Sequence, residues 1–147
     1  MKKLLIGIGT ASAIVFAVSV GFAQGTAETG KSKEVSYVSS EKATFKEIKP
    51  GVTMATLWGD PDKGRHGTLT KFAPGYDAGM HTHTNDVWIV GVKGAYLYKD
   101  DAGEKRVGPG DFLRVPGGHK HWSGGDKKEG ALFYEEASGK FDLIPAK

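Results

Sequence analysis

The chain has 147 residues, with 20 Lys or Arg, 17 Asp or Glu and no Cys, which is room for one ordinary domain and not two. Without cysteine it has no disulfides, no thiolate nucleophile and no thiolate metal ligand. Lys2 and Lys3 fall in a segment expected to be removed. The remainder is nearly neutral and lacks the basic footprint of a nucleic-acid or anionic-membrane binder.

Residues 1–23 read as a signal peptide. Lys2-Lys3 are its positive start, Leu4–Val20 is apolar with small residues interspersed, and Gly21-Phe22-Ala23 places small residues before a cut after Ala23. As a retained anchor, Leu4–Phe22 would be near the lower limit of the roughly 20 apolar residues a span needs, and Gly7, Gly9, Thr10 and Ser12 interrupt it. The protein is therefore expected to be exported, periplasmic or secreted, with no stable membrane insertion after cleavage. Residues 24–34 are small and polar and read as a flexible linker. The folded domain is expected over residues 35–147.

From Val35 onward the signals are those of strands. Phe45–Ile48 and Val52–Trp58 are β-rich and separated by the turn pair Pro50-Gly51. After the loop Gly59–Gly64 come Gly67–Phe72, closed by Pro74-Gly75, then Gly79–His83, Val87–Val92 and Ala95–Tyr98. Asp100–Glu104 is a hairpin turn into Lys105–Val107. Asp111–Val115, His119–Ser123, Ala131–Glu136 and Phe141–Ile144 complete the series. No window sustains a helical period, no internal repeat is visible, and 22 Gly suit short strands with tight turns. The fold class is all-β, a sandwich or barrel.

His81 and His83 are two apart, so on a strand they share a face, where a third histidine from a neighbouring strand can close a metal site. His121, in Gly118-His119-Lys120-His121, lies in such a stretch. Gly75-x5-His81-x-His83-x3-Val87-x6-Gly94 resembles the first cupin motif, G-x5-H-x-H-x3,4-E-x6-G. Gly110-x5-Pro116-x-Gly118-x2-His121 resembles the second, G-x5-P-x-G-x2-H-x3-N. The segment between Gly94 and Gly110 has the length of the linker in small cupins. The resemblance implies a cupin β-barrel of two antiparallel sheets in jelly-roll fashion, with the site inside the barrel mouth and a homodimer through the outer strands. It also implies one divalent transition metal (Fe, Zn, Ni, Cu or Mn) on His81, His83 and His121.

Two positions depart from the pattern. The family's glutamate falls on Val87 and its final asparagine on Gly125. Three neutral imidazoles leave a divalent ion its full charge, making it a stronger Lewis acid with coordination positions open. A missing glutamate is equally the mark of a barrel that keeps its pocket without the metal, its histidines hydrogen-bonding a ligand instead.

Other residues stand around this set. His119 would share a face with His121 on a regular strand, and Asn85 shares the parity of His81 and His83, where it could hold a ligand or water. Asp86 points the other way. Of Glu135 and Glu136 only one can face in, as a fourth ligand or a general base. His66 reads as a surface or rim residue. Val87 and Ile89 make an apolar inner wall, and Trp58, Trp88, Tyr96, Tyr98, Trp122, Phe133 and Tyr134 read as core or sheet-face residues. Lys127-Lys128 belong to a solvated turn.

Three functions are compatible with this pattern. The first is an exported metalloenzyme acting on a small organic molecule, of oxygenase type with iron or isomerase/lyase type with zinc or nickel. The second is a non-catalytic periplasmic module for a small ligand or a metal. The third is a barrel with a vestigial site. No residue is assigned a catalytic role from sequence.

Overall fold

The computed structural model describes residues 35–147. The expected signal peptide and linker lie outside the described residues. Among the described residues there are eleven strands: β1 (Lys46–Lys49), β2 (Val52–Gly59), β3 (His66–Phe72), β4 (Asp77–Thr82), β5 (Val87–Gly94), β6 (Tyr96–Asp100), β7 (Gly103–Val107), β8 (Phe112–Val115), β9 (His121–Gly125), β10 (Ala131–Ala137) and β11 (Ile144–Pro145). They assemble into a six-stranded sheet, β1-β2-β3-β10-β5-β8, and a five-stranded sheet, β11-β4-β9-β6-β7. Every strand ladder is antiparallel.

Alternation along the strands builds the space between the sheets. On β10 Ala131, Phe133, Glu135 and Ala137 are buried, while Leu132, Tyr134 and Glu136 are only partly covered. On β5 Val87, Ile89 and Gly91 are buried in alternation, and Gly94 is buried at the strand's end. The core joins Val87, Ile89, Val115, Ala131 and Phe133 of the larger sheet to Tyr96, Tyr98 and Val107 of the smaller one. Phe133 sits at its centre, edge-on to Phe72 at 4.9 Å and to Tyr96 at 5.0 Å between ring centroids. The all-β expectation and the inward parity of Val87 and Ile89 agree with this arrangement.

Two stretches differ from the sequence reading. Residues 35–45 contain no strand; Val35 and Tyr37 are exposed, and an extended segment becomes a strand only when a neighbour takes up its backbone groups. Phe141–Ile144 is not a strand either. Only Ile144 and Pro145 pair, with Thr82 and His81 of β4. The preceding residues 138–143 cross the end of the barrel as a strap over the turn that follows β4. There Ser138 N–H donates to the Asp86 carbonyl (3.0 Å), and the Asn85 amide donates to the Lys140 carbonyl (3.1 Å). Thr84 N–H donates to the Asp142 carboxylate at 2.9 Å.

Gly117 has a steric reason to be glycine. A Cβ there would lie 2.4 Å from the Thr84 carbonyl oxygen, so the turn before β9 packs backbone to backbone against the turn after β4. The Gly118 N–H donates to the His83 carbonyl at 2.7 Å. Together these contacts fix the ends of β4 and β9 next to each other.

Candidate metal centre

β4 and β9 are hydrogen-bonded neighbours, and His81 and His121 are register partners across them. His83 lies just beyond the end of β4 and keeps the parity of His81. One ring nitrogen from each of the three histidines lies within 4.8 Å of the others. The ring centroids are 4.3 Å apart for His81 and His121, 5.0 Å for His81 and His83, and 5.4 Å for His83 and His121. His81 and His121 are almost fully buried, and His83 is 8% exposed.

Backbone carbonyls set the orientation of all three rings. His81 Nδ1–H donates to the Gly79 carbonyl at 2.8 Å, His83 Nδ1–H to the Asp142 carbonyl at 2.5 Å, and His121 Nδ1–H to the His119 carbonyl at 3.0 Å. A carbonyl only accepts, so each Nδ1 carries the proton and each Nε2 presents a lone pair. This is the way metal-binding imidazoles are held by their surroundings. The His121 Nε2 is buried with no partner. Tyr98 stacks on the His121 ring at 5.3 Å and 20°, which restricts its rotation.

The electrostatics keep the rings neutral. Burial pushes the His121 imidazole down to about 4, against the pull of its bond to the His119 carbonyl. Burial also lowers His81 and His83, and neighbouring imidazoles and Lys49 add to the effect. Neutral imidazole is the form that binds a metal, so donor type, tautomer and charge state all fit a divalent transition ion of the kind imidazole prefers.

The neighbouring residues divide. His119 is exposed, and its Nε2–H donates to Asp100 at 3.0 Å; it serves the site through its carbonyl and not its ring. The Tyr98 hydroxyl, with the His119 ring, holds the Asp100 carboxyl at about 2. Asn85 holds the strap instead of facing a ligand. Asp86 points outward as expected, pairing with Arg114 at 2.6 Å and accepting from Gly117 N–H at 2.9 Å. His66 corrects the sequence reading. It is completely buried at the start of β3, paired across to Ala137 and Gly59, and its Nδ1–H donates to the Gly64 carbonyl. The loop that precedes it made it read as a rim residue, but β3 begins one position earlier than expected.

Of the two late-strand glutamates, Glu135 faces in and Glu136 faces out to Arg65. Glu135 lines a cavity together with His81, His83, Lys49, Thr70, Tyr76, Tyr96, Ser123, Phe141 and other apolar residues. Its volume is about 30 Å³. Sequence reasoning did not find Lys49, Phe141 or Asp142 near the site. They arrive from the edge strand β1 and the strap, and no local pattern signals such a contact.

The profile of the ChrR cupin-like domain family matches residues 33–140 of the chain. The chain belongs to this cupin family. No curated protein matched the sequence. Among solved structures, this cupin is similar to KdgF from Halomonas sp., at 21% identity over 74% of this chain and 97% of that one, with a TM-score of 0.62. It is also similar to the polyketide cyclase RemF from Streptomyces resistomycificus, at 18% identity over 78% and 87%, with a TM-score of 0.65. A third likeness is to the complex of Rhodobacter sphaeroides SigE with the anti-sigma ChrR, at 18% identity over 68% of this chain and 51% of that one, TM-score 0.54. At these identities the shared feature is the barrel. In this cupin Val87, where the motif has glutamate, is buried in the hydrophobic core. The histidine cluster therefore has no carboxylate at that position.

Proposed function

We propose that this cupin is an exported protein that holds one divalent transition metal on His81, His83 and His121 and acts on a small organic molecule, of oxygenase or isomerase/lyase type. The observation that carries the reading is the convergence of three buried imidazoles whose Nδ1 atoms are all spent on backbone carbonyls, leaving three Nε2 lone pairs for one ion. Bound there, the metal supplies Lewis acidity. The chain's own residues orient the rings through Gly79, Asp142 and His119, keep them neutral by burial, and shield them from bulk water with the strap. A homodimer through the outer strands belongs to the same reading, supported by Phe112, which is 65% exposed on edge strand β8.

One observation favours a second reading, a module that holds a metal without turning over an organic substrate. A cavity of about 30 Å³ has room for about two water molecules and none for a diketone or a flavonol. An organic substrate requires displacement of Phe141 and Leu143 of the strap, or of Ile48 and Lys49 of β1, which border it.

Protein purified without a polyhistidine tag should carry about one metal per chain by elemental analysis, and zinc or iron should raise the melting temperature of the stripped protein. Neither metal retention nor a thermal shift would overturn the metal site. Oxygen uptake by the iron-loaded protein with diketones, flavonols or thiols separates the enzyme from the module. Full metal occupancy with no turnover decides for the module.

A further inference from the structure

Three buried side-chain atoms among the described residues lack a hydrogen-bond partner: His66 Nε2, His121 Nε2 and Glu135 Oε1. The proposed metal accounts for the second. Glu135 is the more demanding case, because a carboxyl 7% exposed in the middle of a sheet is costly unless something faces it. It sits at the centre of β10, between Thr68 of β3 and Ile89 of β5. Its cavity is the one that His81 and His83 line from the opposite sheet, and the free volume between them suits water.

Charge gives the pairing its logic. Three neutral imidazoles contribute nothing against the two positive charges of a divalent ion, and a buried ion needs compensation. The titratable groups lining the cavity are Lys49, Tyr76, His81, His83, Tyr96 and Glu135. Glu135 is the one acid among them. Val87, whose position carries the carboxylate in the family pattern, pairs with Ala137; Glu135 is two residues along β10 from that partner.

We propose that Glu135 is a positioning carboxylate for the three-imidazole site, compensating the charge of the bound ion and accepting a hydrogen bond from the water held between them. This rests on the metal reading above. It assigns the cavity a polarity, with an electrophilic end at the histidines and an acceptor at Glu135. The occupant that this volume fits is water. Metal binding should then draw the proton off Glu135, which burial holds up to about 7 in the metal-free protein. A glutamate with a merely structural role would not respond to the metal.

The test is calorimetric titration of the metal-stripped full chain with zinc near pH 6.5, in buffers of different ionisation enthalpy, so that affinity and proton release are both read. Wild type should release well over half a proton per zinc. Glu135→Gln should lose most of that release and bind zinc about tenfold to a hundredfold more weakly. Glu135→Asp, which keeps the charge, should retain the release and is the variant to use if the Gln protein does not fold. Wild type and Glu135→Gln with equal affinity and equal proton release would overturn the role of Glu135 and leave the metal site standing. A wild-type protein that binds no zinc, cobalt or iron overturns both.

Discussion

Replacing Glu135 by Gln in the metal-free protein should make it more stable at pH 8 and nearly unchanged at pH 4.5. Burial raises the Glu135 carboxyl from an ordinary 4.5 to about 7. Such a group is neutral in both folded and unfolded chains below pH 4.5 and costs nothing there. Between pH 4.5 and 7 the unfolded chain gives up its proton while the folded one keeps it, so stability is lost as pH rises, and the loss is complete above 7. At about 1.36 kcal/mol per pH unit the rise amounts to about 3 kcal/mol, or roughly 10 °C in melting temperature for a domain of this size. Gln has the same shape and no proton to lose. The lowered histidines act in the opposite sense. Their contribution is full above about 6.5 and is lost as pH falls through the folded value, about 4 for His121. That dependence is present in both proteins and cancels in their difference. Urea unfolding of stripped wild type and Glu135→Gln at pH 4.5, 6 and 8 measures it. The stability gap should open by about 3 kcal/mol in favour of Gln across that range. Parallel pH profiles would refute the reasoning, since they would mean the carboxyl is already paired or solvated. A gap that opens as expected would mean that the same residue lowers apo stability while serving metal binding, a common compromise at functional sites.

Other outcomes follow from the same geometry. His121→Ala should abolish retention of metal, whereas His119→Ala should leave affinity within a few-fold, because the ring of His121 is held by the His119 backbone carbonyl; elemental analysis of the two variants decides this. Phe133→Ala empties the centre of the core between Phe72 and Tyr96 and should cost about 3–5 kcal/mol in chemical denaturation. Gly117→Ala drives a methyl into the Thr84 carbonyl; it should lower the melting temperature and weaken zinc binding together, since the turns after β4 and before β9 separate.

The sequence by itself determined what depends on near neighbours along the chain. Period-two alternation marked Val87 and Ile89 as inward and His81 and His83 as sharing a face, because successive side chains on a strand point to opposite sides whatever the strand pairs with. Turn residues bounded most strands to within a few positions. The paired motifs brought His121 to the other two histidines, and the register of β4 with β9 agrees. The tertiary structure decided whatever depends on a partner distant in sequence. Parity allowed Glu135 or Glu136 to face in; the placement of β10 between β3 and β5 chose Glu135. His66 read as a rim residue until its pairing with Ala137 and Gly59 enclosed it. Asn85 had the parity for the site, yet the strap captures it through the Lys140 carbonyl. Phe141–Ile144 looks like strand in sequence, but of these only Ile144 joins a ladder, while Asp142 spends its carbonyl on His83 and its carboxylate on Thr84. Local pattern sets the direction of a side chain, and long-range pairing sets what that side chain meets.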